Sequence, residues 1–176
     1  MLIQPWKELR REEVFKKYSR KIERVDFQLS DGSELDFYIK AEGAAVCIVA
    51  LTPDDKVIMA RQFRPGPNKI LLELPGGGIE AGESPLEAAR REFLEETGYE
   101  GDFEFAGTCL DDAYSTMERP YVVATNCVKV AEPQNTAHEE IKVVLLSLDE
   151  FRQHLRSGQL TDVEIGYLAL DYLGKL

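Results

Sequence analysis

Alternating apolar and polar residues mark the first clear element of the chain. The alternation runs through residues 21–40 on either side of Asp31 and Gly32, a turn pair that tolerates positive φ, and it predicts a β-hairpin. Residues 44–51 are a continuous apolar run of strand length, which predicts a buried strand. After a short turn, residues 56–63 are predicted to form the strand that pairs with it.

Chain-breaking residues separate the later strand patterns. Pro65, Gly66 and Pro67 interrupt the chain before the next apolar stretch. The further predicted strands cover residues 70–74, 103–109, 121–130 and 141–146. We assign no element to residues 1–20, which are charged and mixed in pattern, with Trp6 as the only large anchor.

A helix is predicted at residues 85–97 by signals at both of its ends. Ser84 and Glu87 have the spacing of a capping box, and Pro85 occupies the first helical position. Gly98 supplies the stop.

Two further capping boxes, at residues 147–150 and 161–164, are predicted to open helices that end near Gly158 and Gly174. The element order predicts an α/β (α+β) fold, a mixed sheet flanked by helices. We expect one domain over residues 1–176, in which residues 1–40 extend a core formed by residues 41–176.

Composition narrows the range of functions. The formal net charge of −11 argues against a protein that grips nucleic acid through its phosphates. No run approaches the roughly 18–20 apolar residues that a membrane helix needs, and residues 1–17 do not resemble a secretory signal. The three cysteines, Cys47, Cys109 and Cys127, are widely spaced and odd in number, which favours a reduced, cytoplasmic protein over a disulfide or zinc framework.

The predicted helix has two distinct faces when its residues are placed at about 100° per residue. An apolar stripe, expected to pack on the sheet, consists of Leu86, Ala89, Phe93 and Thr97. A neighbouring arc carries Glu92, Glu95 and Glu96. Because like charges at these spacings repel, the arc lowers helix stability unless a hard divalent cation such as Mg²⁺ binds there.

For the three glutamates alone, a solvated acidic face is the simpler interpretation. Arg91 is expected to point away from this arc, where it would orient Glu83 or a loop, or form a modest surface ion pair.

The residues around the glutamates favour the metal site. They have the form Gly77, five residues, Glu83, seven residues, then Arg91-Glu92-Phe93-Leu94-Glu95-Glu96-Thr97-Gly98-Tyr99. This pattern resembles the signature box of the Nudix hydrolases, with every fixed position filled. By average residue usage, seven fixed identities would coincide about once in a billion start positions. The resemblance implies an α/β/α sandwich with a mixed sheet, here with an N-terminal hairpin extension, and hydrolysis of nucleoside diphosphates linked to another moiety.

The Nudix resemblance also implies the metal ligands. It makes Glu92 and Glu96 the leading ligands of Mg²⁺, with Glu95 close behind and the backbone carbonyl of Gly76 as an additional ligand. Mn²⁺ is an alternative ion. The metal would polarise the diphosphate and lower the pKa of an attacking water, and a carboxylate would complete its deprotonation.

The flanking residues are similar to those of the ADP-ribose pyrophosphatase branch. The similar stretches are Arg61-Gln62-Phe63-Arg64, Leu72-Glu73-Leu74-Pro75-Gly76-Gly77 and residues 138–143. The resemblance implies that Arg61 and Arg64 hold phosphate, a role that suits the planar guanidinium. It implies that Glu73 supports the box or the substrate. Either Glu139 or Glu140 would act as a metal ligand or general base in the catalytic loop.

In that branch the N-terminal hairpin helps to build a homodimer and a site for the adenine. The loop at residues 112–119 departs from the branch, because Tyr114 stands where a proline is expected. A tyrosine at this position is reminiscent of dinucleoside polyphosphate hydrolases. Its ring would equally stack on a base. The structural alternative is an ordinary loop aromatic. Glu118 is a further candidate for substrate contact in this loop.

The leading hypothesis is therefore a Mg²⁺-dependent pyrophosphatase for a small nucleotide, ADP-ribose or another nucleoside diphosphate sugar, without nucleic-acid or membrane partners. Hydrolysis of dinucleoside polyphosphates or damaged nucleoside triphosphates is an alternative. A nucleotide-sensing module that has lost turnover is the non-enzymatic alternative.

Overall fold

A three-stranded antiparallel sheet begins the computed structural model, which describes residues 3–136 and 140–176. Its strands, in the spatial order β1-β2-β3, are β1 (Lys7–Lys17), β2 (Arg20–Gln28) and β3 (Glu34–Lys40). The predicted hairpin is confirmed as β2 and β3, with Val25 opposite Phe37 and Gly32 at a φ of 85° in the connecting turn. Strand β1 lies in the region to which we assigned no element.

Residues 3–44 form one compact unit with residues 110–118. The two segments are joined by the Lys40–Asp111 ion pair at 2.9 Å, and the ring of Phe37 stacks on Tyr114 with centroids 6.3 Å apart. Trp6 stacks on Phe37 in turn, at 5.5 Å.

A second compact unit contains residues 45–109, 119–136 and 140–176. The elements that lie in it wholly or mostly are β4 (Ala45–Ala50), β5 (Val57–Arg64), β6 (Lys69–Glu73), β7 (Gly76–Gly78), α1 (Pro85–Thr97), β8 (Tyr99–Leu110), β9 (Glu118–Lys129), β10 (Lys142–Leu146), α2 (Leu148–Ser157) and α3 (Val163–Tyr172). The strands form two sheets, ordered β7-β4-β9-β8 and β10-β5-β6. The assignment of the whole chain to one domain stays a prediction.

The pairing of β4 corrects one expectation from the sequence. Residues 56–63 were expected to pair with residues 44–51, but β5 and β4 share only a bridge between Leu51 and Val57. Strand β4 instead pairs in parallel with β9 and antiparallel with β7, which makes its sheet mixed. An apolar run identifies a buried strand but not its neighbour, and here the distant β9 takes the place of the adjacent β5.

Side chains on the two faces of the strands belong to two different cores. Val46 and Ile48 of β4 pack in a cluster with Ala89 and Phe93 of α1. The next residue, Val49, packs in a cluster with residues of α2 and α3. Because successive strand residues point to opposite faces, the sheet is covered by α1 on one side and by α2 and α3 on the other. The predicted α/β fold with a mixed sheet flanked by helices is confirmed.

Helices α1 and α2 begin at the predicted capping boxes and end at Gly98 and Gly158 in the left-handed conformation. The box predicted at residues 161–164 is wrong, since the cap residue Asp162 makes no side-chain capping bond. The Thr161 hydroxyl is taken by Glu73 at 2.8 Å instead. Within the described residues, no helix combines the length and apolar character that a membrane crossing requires.

Candidate functional site

Helix α1 presents its acidic arc from a rigid position. The predicted apolar stripe is confirmed, because Ala89, Phe93 and Thr97 are fully buried and Leu86 packs against the same core. At the N-terminus, Ser84 Oγ accepts from the backbone N–H of Glu87, whose carboxylate accepts in return from the backbone N–H of Ser84. These bonds satisfy amide groups that the first helical turn leaves unpaired, so the start of the helix is well defined.

The three glutamates of the arc line one cavity of about 360 Å³. The opposite wall is formed by Gln134, Asn135, Thr136 and Ile141. This wall is itself fixed, since the backbone N–H of Gln134 donates to the carbonyl of Glu95 at 2.7 Å and Asn135 Oδ1 accepts from Ile141 at 2.8 Å. The cavity is therefore held between α1 and the segment that leads into β10.

Glu96 is the most deeply placed of the three carboxylates, with 6% of its surface exposed. Its Oε2 accepts a hydrogen bond of 2.8 Å from the backbone N–H of Gly76. Gly76 lies opposite Cys47 in the β4–β7 pair, so the sheet fixes the position of this donor. The structure thus joins Gly76 to the acidic arc through its N–H, while a role for its carbonyl as a metal ligand stays a prediction.

Glu92 is fixed by Arg91. The guanidinium donates to Glu92 Oε1 at 2.8 Å, to both carboxylate oxygens of Glu83 at 2.9 Å, and to the carbonyl of Gly78 at 2.9 Å. It also lies 3.7 Å from Glu95. Our expectation that Arg91 points away from the arc is wrong, because its long side chain turns back along the helix surface. The expectation that it orients Glu83 is confirmed.

Charge pairing keeps Glu83 and Arg91 ionised. The hydrogen bonds from Arg91, followed by the backbone N–H of Glu80, hold the pKa of Glu83 below its ordinary value. The same pairing, with Glu83 first and Glu92 second, raises the pKa of Arg91. Arg91 therefore remains a cation that links the glycine-rich strand β7 to the carboxylates of α1.

The carboxylate of Glu92 packs so closely on the backbone at residue 77 that glycine is required there. A Cβ at Gly77 would lie 2.4 Å from Glu92 Cδ and 2.5 Å from its Oε2. The glycine therefore leaves room for a carboxylate directly beside the backbone, as the sequence pattern predicts.

The donor set suits a hard divalent cation, since it consists of carboxylate oxygens around one polar cavity. As the side chains stand in residues 3–136 and 140–176, no three acidic, histidine or cysteine groups meet closely enough to hold an ion. Glu92 and Glu96 are instead held by Arg91 and the Gly76 N–H. The residues fit Mg²⁺ in chemistry and location.

Arg64 and Glu73 form an ion pair, with 2.5 Å between Arg64 Nε and Glu73 Oε2. Glu73 is 2% exposed, and its second oxygen accepts from Thr161. Both carboxylate oxygens are thus engaged, so Glu73 holds Arg64 in place and is itself shielded from solvent. Arg64 remains partly exposed, with 41% of its side chain accessible.

Arg61 lies on the other face of the same strand. Its register partners are Leu72 and Lys142, and Leu72 packs against the core that contains α2 and α3. Arg61 lines a separate cavity of about 580 Å³ with His154 of α2. The structure therefore does not bring Arg61 together with Arg64 or the glutamates of α1.

The remaining predicted residues lie outside this cluster or outside the described chain. Tyr114 and Glu118 are exposed and belong to the other compact unit. Glu140 is exposed at the start of the segment that leads into β10. Glu139 lies outside the described residues, together with His138.

Sequence reasoning missed the wall at residues 134–136 and the buried amide of Gln62. A polar loop before a predicted strand was the available signal for the wall. Gln62 lies within the quoted stretch at residues 61–64, but we assigned it no role of its own.

Comparison with known proteins defines the class. Residues 41–164 match the family described as NUDIX domain, and the chain belongs to this family. It is a Nudix-type hydrolase, in agreement with the box on α1.

Several relatives are similar along most or part of the chain. A methanol dehydrogenase activator from Bacillus methanolicus is 28% identical over 172 residues, 95% of this chain and 91% of its own length. An ADP-ribose pyrophosphatase from Bacillus subtilis (strain 168) is 29% identical over 154 residues, 84% of this chain and 81% of its own length. An ADP-sugar pyrophosphatase from Mus musculus is 44% identical over 71 residues, 39% of this chain and 33% of its own length.

A crystal structure described as an ADP compounds hydrolase has the same fold. It matches with a TM-score of 0.80 at 24% identity, over 100% of both chains.

Proposed function

We propose that this protein hydrolyses the pyrophosphate bond of ADP-ribose, or of another nucleoside diphosphate sugar, in a Mg²⁺-dependent reaction. The products are a nucleoside monophosphate and a sugar phosphate. Two relatives named as ADP-ribose and ADP-sugar pyrophosphatases support the substrate class. The observation that carries the proposal is the cavity lined by Glu92, Glu95 and Glu96, since a diphosphate can approach such a wall only with its charge bridged by cations.

In this proposal the chain's residues hold the metal and the nucleophile in place. Glu92, Glu95 and Glu96 supply carboxylate oxygens, and the Gly76 carbonyl is an additional ligand. Bound Mg²⁺, or Mn²⁺ in its place, polarises the diphosphate and acidifies an attacking water. The Arg91 contacts and the Gly76 N–H limit the movement of Glu92 and Glu96. These two side chains therefore lose little further freedom when the metal binds.

Arg64 is the side chain that we propose to hold a phosphate oxygen. Its guanidinium is partly exposed and is oriented by the buried Glu73, which leaves further N–H groups available for a bidentate contact. We propose that Glu139 or Glu140 removes the proton from water, and that Tyr114 and Glu118 contact the nucleoside or sugar.

Two wider properties are part of the same proposal. The chain acts as a homodimer, for which the three-stranded sheet of β1, β2 and β3 is the candidate interface. It acts in the cytoplasm, where its three cysteines remain reduced.

A substrate panel tests the proposal. Purified protein is incubated with ADP-ribose, nucleoside diphosphate sugars, dinucleoside polyphosphates and nucleoside triphosphates, with Mg²⁺, Mn²⁺ or a chelator, and the products are separated by chromatography. We expect AMP and ribose phosphate from ADP-ribose only when a metal is present. Release of pyrophosphate from triphosphates, or cleavage of dinucleoside polyphosphates alone, would favour the second enzymatic hypothesis. Binding of ADP-ribose without any product would favour the sensing module.

A further inference from the structure

A buried amide lies on the face of β5 that adjoins the candidate active site. Gln62 is 5% exposed, and its Nε2 has no hydrogen-bond partner in the described part of the chain. A buried amide donor of this kind destabilises the folded protein when it remains unpaired. Most buried polar groups in proteins are paired, so such a donor needs a specific explanation.

The strand register shows which way Gln62 faces. Val143, which packs with the α1 core, lies directly opposite Ala60. Because side chains alternate along a strand, Ala60 and Gln62 point to the same face. That face is the one covered by α1, which carries the acidic arc.

The neighbours of Gln62 on this face belong to the site. Lys142 lies opposite Arg61, so Ile141, directly before β10, continues this register next to Gln62. Ile141 is 6% exposed and forms a wall of the acidic cavity. Arg64, two residues after Gln62, points the same way and is held by Glu73. Gln62 therefore stands between the cavity and the arginine proposed to hold phosphate.

We propose that the Gln62 amide N–H donates a hydrogen bond to a non-bridging phosphate oxygen of the diphosphate. The inference rests on the proposed function, of which it names one further substrate contact. The charges on this face favour such a neutral donor: the cavity wall is acidic, and Glu73 already compensates part of the charge of Arg64. An amide attracts the phosphate oxygen without adding another cation that would compete with the metal for the carboxylates.

Replacement of Gln62 should have different effects on the stability of the free protein and on diphosphate binding. Replacement by an apolar side chain of similar length removes an unpaired buried donor, so the free protein should lose no stability. The same replacement removes a hydrogen bond to a charged oxygen in the complex, which should weaken diphosphate binding by tenfold or more. A residue with a purely structural role would show the opposite combination.

Two variants and one control test this. Gln62→Met keeps the length and removes the donor, and Gln62→Glu keeps the shape but replaces the donor by a carboxylate. Gln153→Leu, at an exposed position of α2, is the control. Thermal unfolding reports stability, and titration calorimetry with ADP and Mg²⁺ reports binding without the need for turnover.

We expect Gln62→Met to melt at or above the wild-type temperature and to bind ADP at least tenfold more weakly. Gln62→Glu should bind it more weakly still, because like charges repel, and Gln153→Leu should behave as wild type. Wild-type affinity in either Gln62 variant overturns the inference, and if Gln62→Met does not fold, Gln62→Glu decides the question. If ADP binding depends on Gln62 but the protein hydrolyses none of the substrates, the proposed function alone is rejected. If the protein hydrolyses its substrate but Gln62→Met binds ADP normally, this inference alone is rejected.

Discussion

Three consecutive glycines, Gly76, Gly77 and Gly78, meet different surroundings, and replacing each by alanine should give three different results. A Cβ at Gly76 would lie 2.1 Å from the backbone oxygen of Val46. A Cβ at Gly77 would lie 2.4 Å from the carboxylate carbon of Glu92. A Cβ at Gly78 would meet open space.

Gly76→Ala should destabilise the fold. The φ of Gly76 is 150°, a conformation that an L-residue adopts at a cost of about 1–3 kcal/mol, and the contact with a strand backbone adds about 1–3 kcal/mol. For a chain of this size, a total loss of about 2–6 kcal/mol corresponds to a fall in Tm of roughly 5–20 °C. Thermal unfolding followed by circular dichroism measures this directly.

Gly77→Ala should impair metal binding while leaving the fold almost unchanged. Gly77 is not among the residues with positive φ, and the atoms it would meet are at the flexible end of Glu92. The carboxylate must move by about 1 Å to reach an ordinary contact distance, beyond the roughly 0.5 Å that a metal-ligand geometry tolerates. We expect the apparent affinity for Mg²⁺, measured from hydrolysis rates across a Mg²⁺ titration, to fall by about 10–100-fold.

Gly78→Ala is the matched control, because its carbonyl can still accept from Arg91 and its Cβ meets open space. Its Tm and Mg²⁺ dependence should equal those of the wild type. A Gly77→Ala variant that loses several kcal/mol of stability yet retains normal Mg²⁺ affinity would refute this role of Gly77. A Gly78→Ala variant as impaired as Gly77→Ala would refute it as well.

Three further predictions concern single side chains. Glu96→Gln should remove nearly all turnover without lowering Tm by more than a few degrees, because the amide has the same shape but cannot act as an anionic ligand; a near-normal Mg²⁺-dependent rate would contradict this. Arg91→Lys should weaken Mg²⁺ binding about tenfold, since an ammonium cannot make the forked contact with Glu83 while also holding Glu92, and calorimetry with Mg²⁺ would detect it. Burial raises the pKa of both the Cys47 and Cys127 thiols to about 12. In the folded protein both thiols should therefore resist iodoacetamide at pH 8. Mass spectrometry should find both cysteines labelled only after unfolding.

The sequence was most informative where local signals act over a few residues. The capping box at Ser84 and Glu87, the stop at Gly98 and the turn at Gly32 depend on hydrogen bonds and torsion angles within one or two turns of chain. Such interactions are encoded by adjacent residues, so a single sequence suffices to identify them. The acidic arc follows for the same reason, because helix geometry alone places its members together.

Strand β1 could not be predicted by the same reasoning. Ten of its eleven residues are exposed, so it has no alternation of apolar and polar positions. Its extended conformation depends on pairing with β2, supported by contacts such as the 2.8 Å ion pair between Arg11 and Glu23. A strand that is accessible on both faces is therefore indicated by the sequence of the strand it pairs with and not by its own residue pattern.

The acidic cavity itself required the fold. Its far wall comes from residues 134–136 and Ile141, about 40 residues after the glutamates of α1, and nothing in local spacing indicates that the two segments meet. The backbone contact between Gln134 and Glu95 depends on where β9 ends, and β9 is placed by its parallel pairing with β4. Long-range pairing of this kind depends on the whole hydrophobic core.

The spacing of Arg61 and Arg64 in the sequence already indicates that the two side chains cannot both bind one phosphate group. Residues three apart in a continuous strand point to opposite faces, so two arginines at this spacing cannot both reach one ligand unless the chain bends between them. Strand β5 continues without a break to Arg64 and pairs with β6 throughout, which excludes such a bend. Arg64, on the same face as Gln62, is consequently the arginine whose removal should weaken diphosphate binding, whereas Arg61 faces a cavity that contains none of the glutamates of α1.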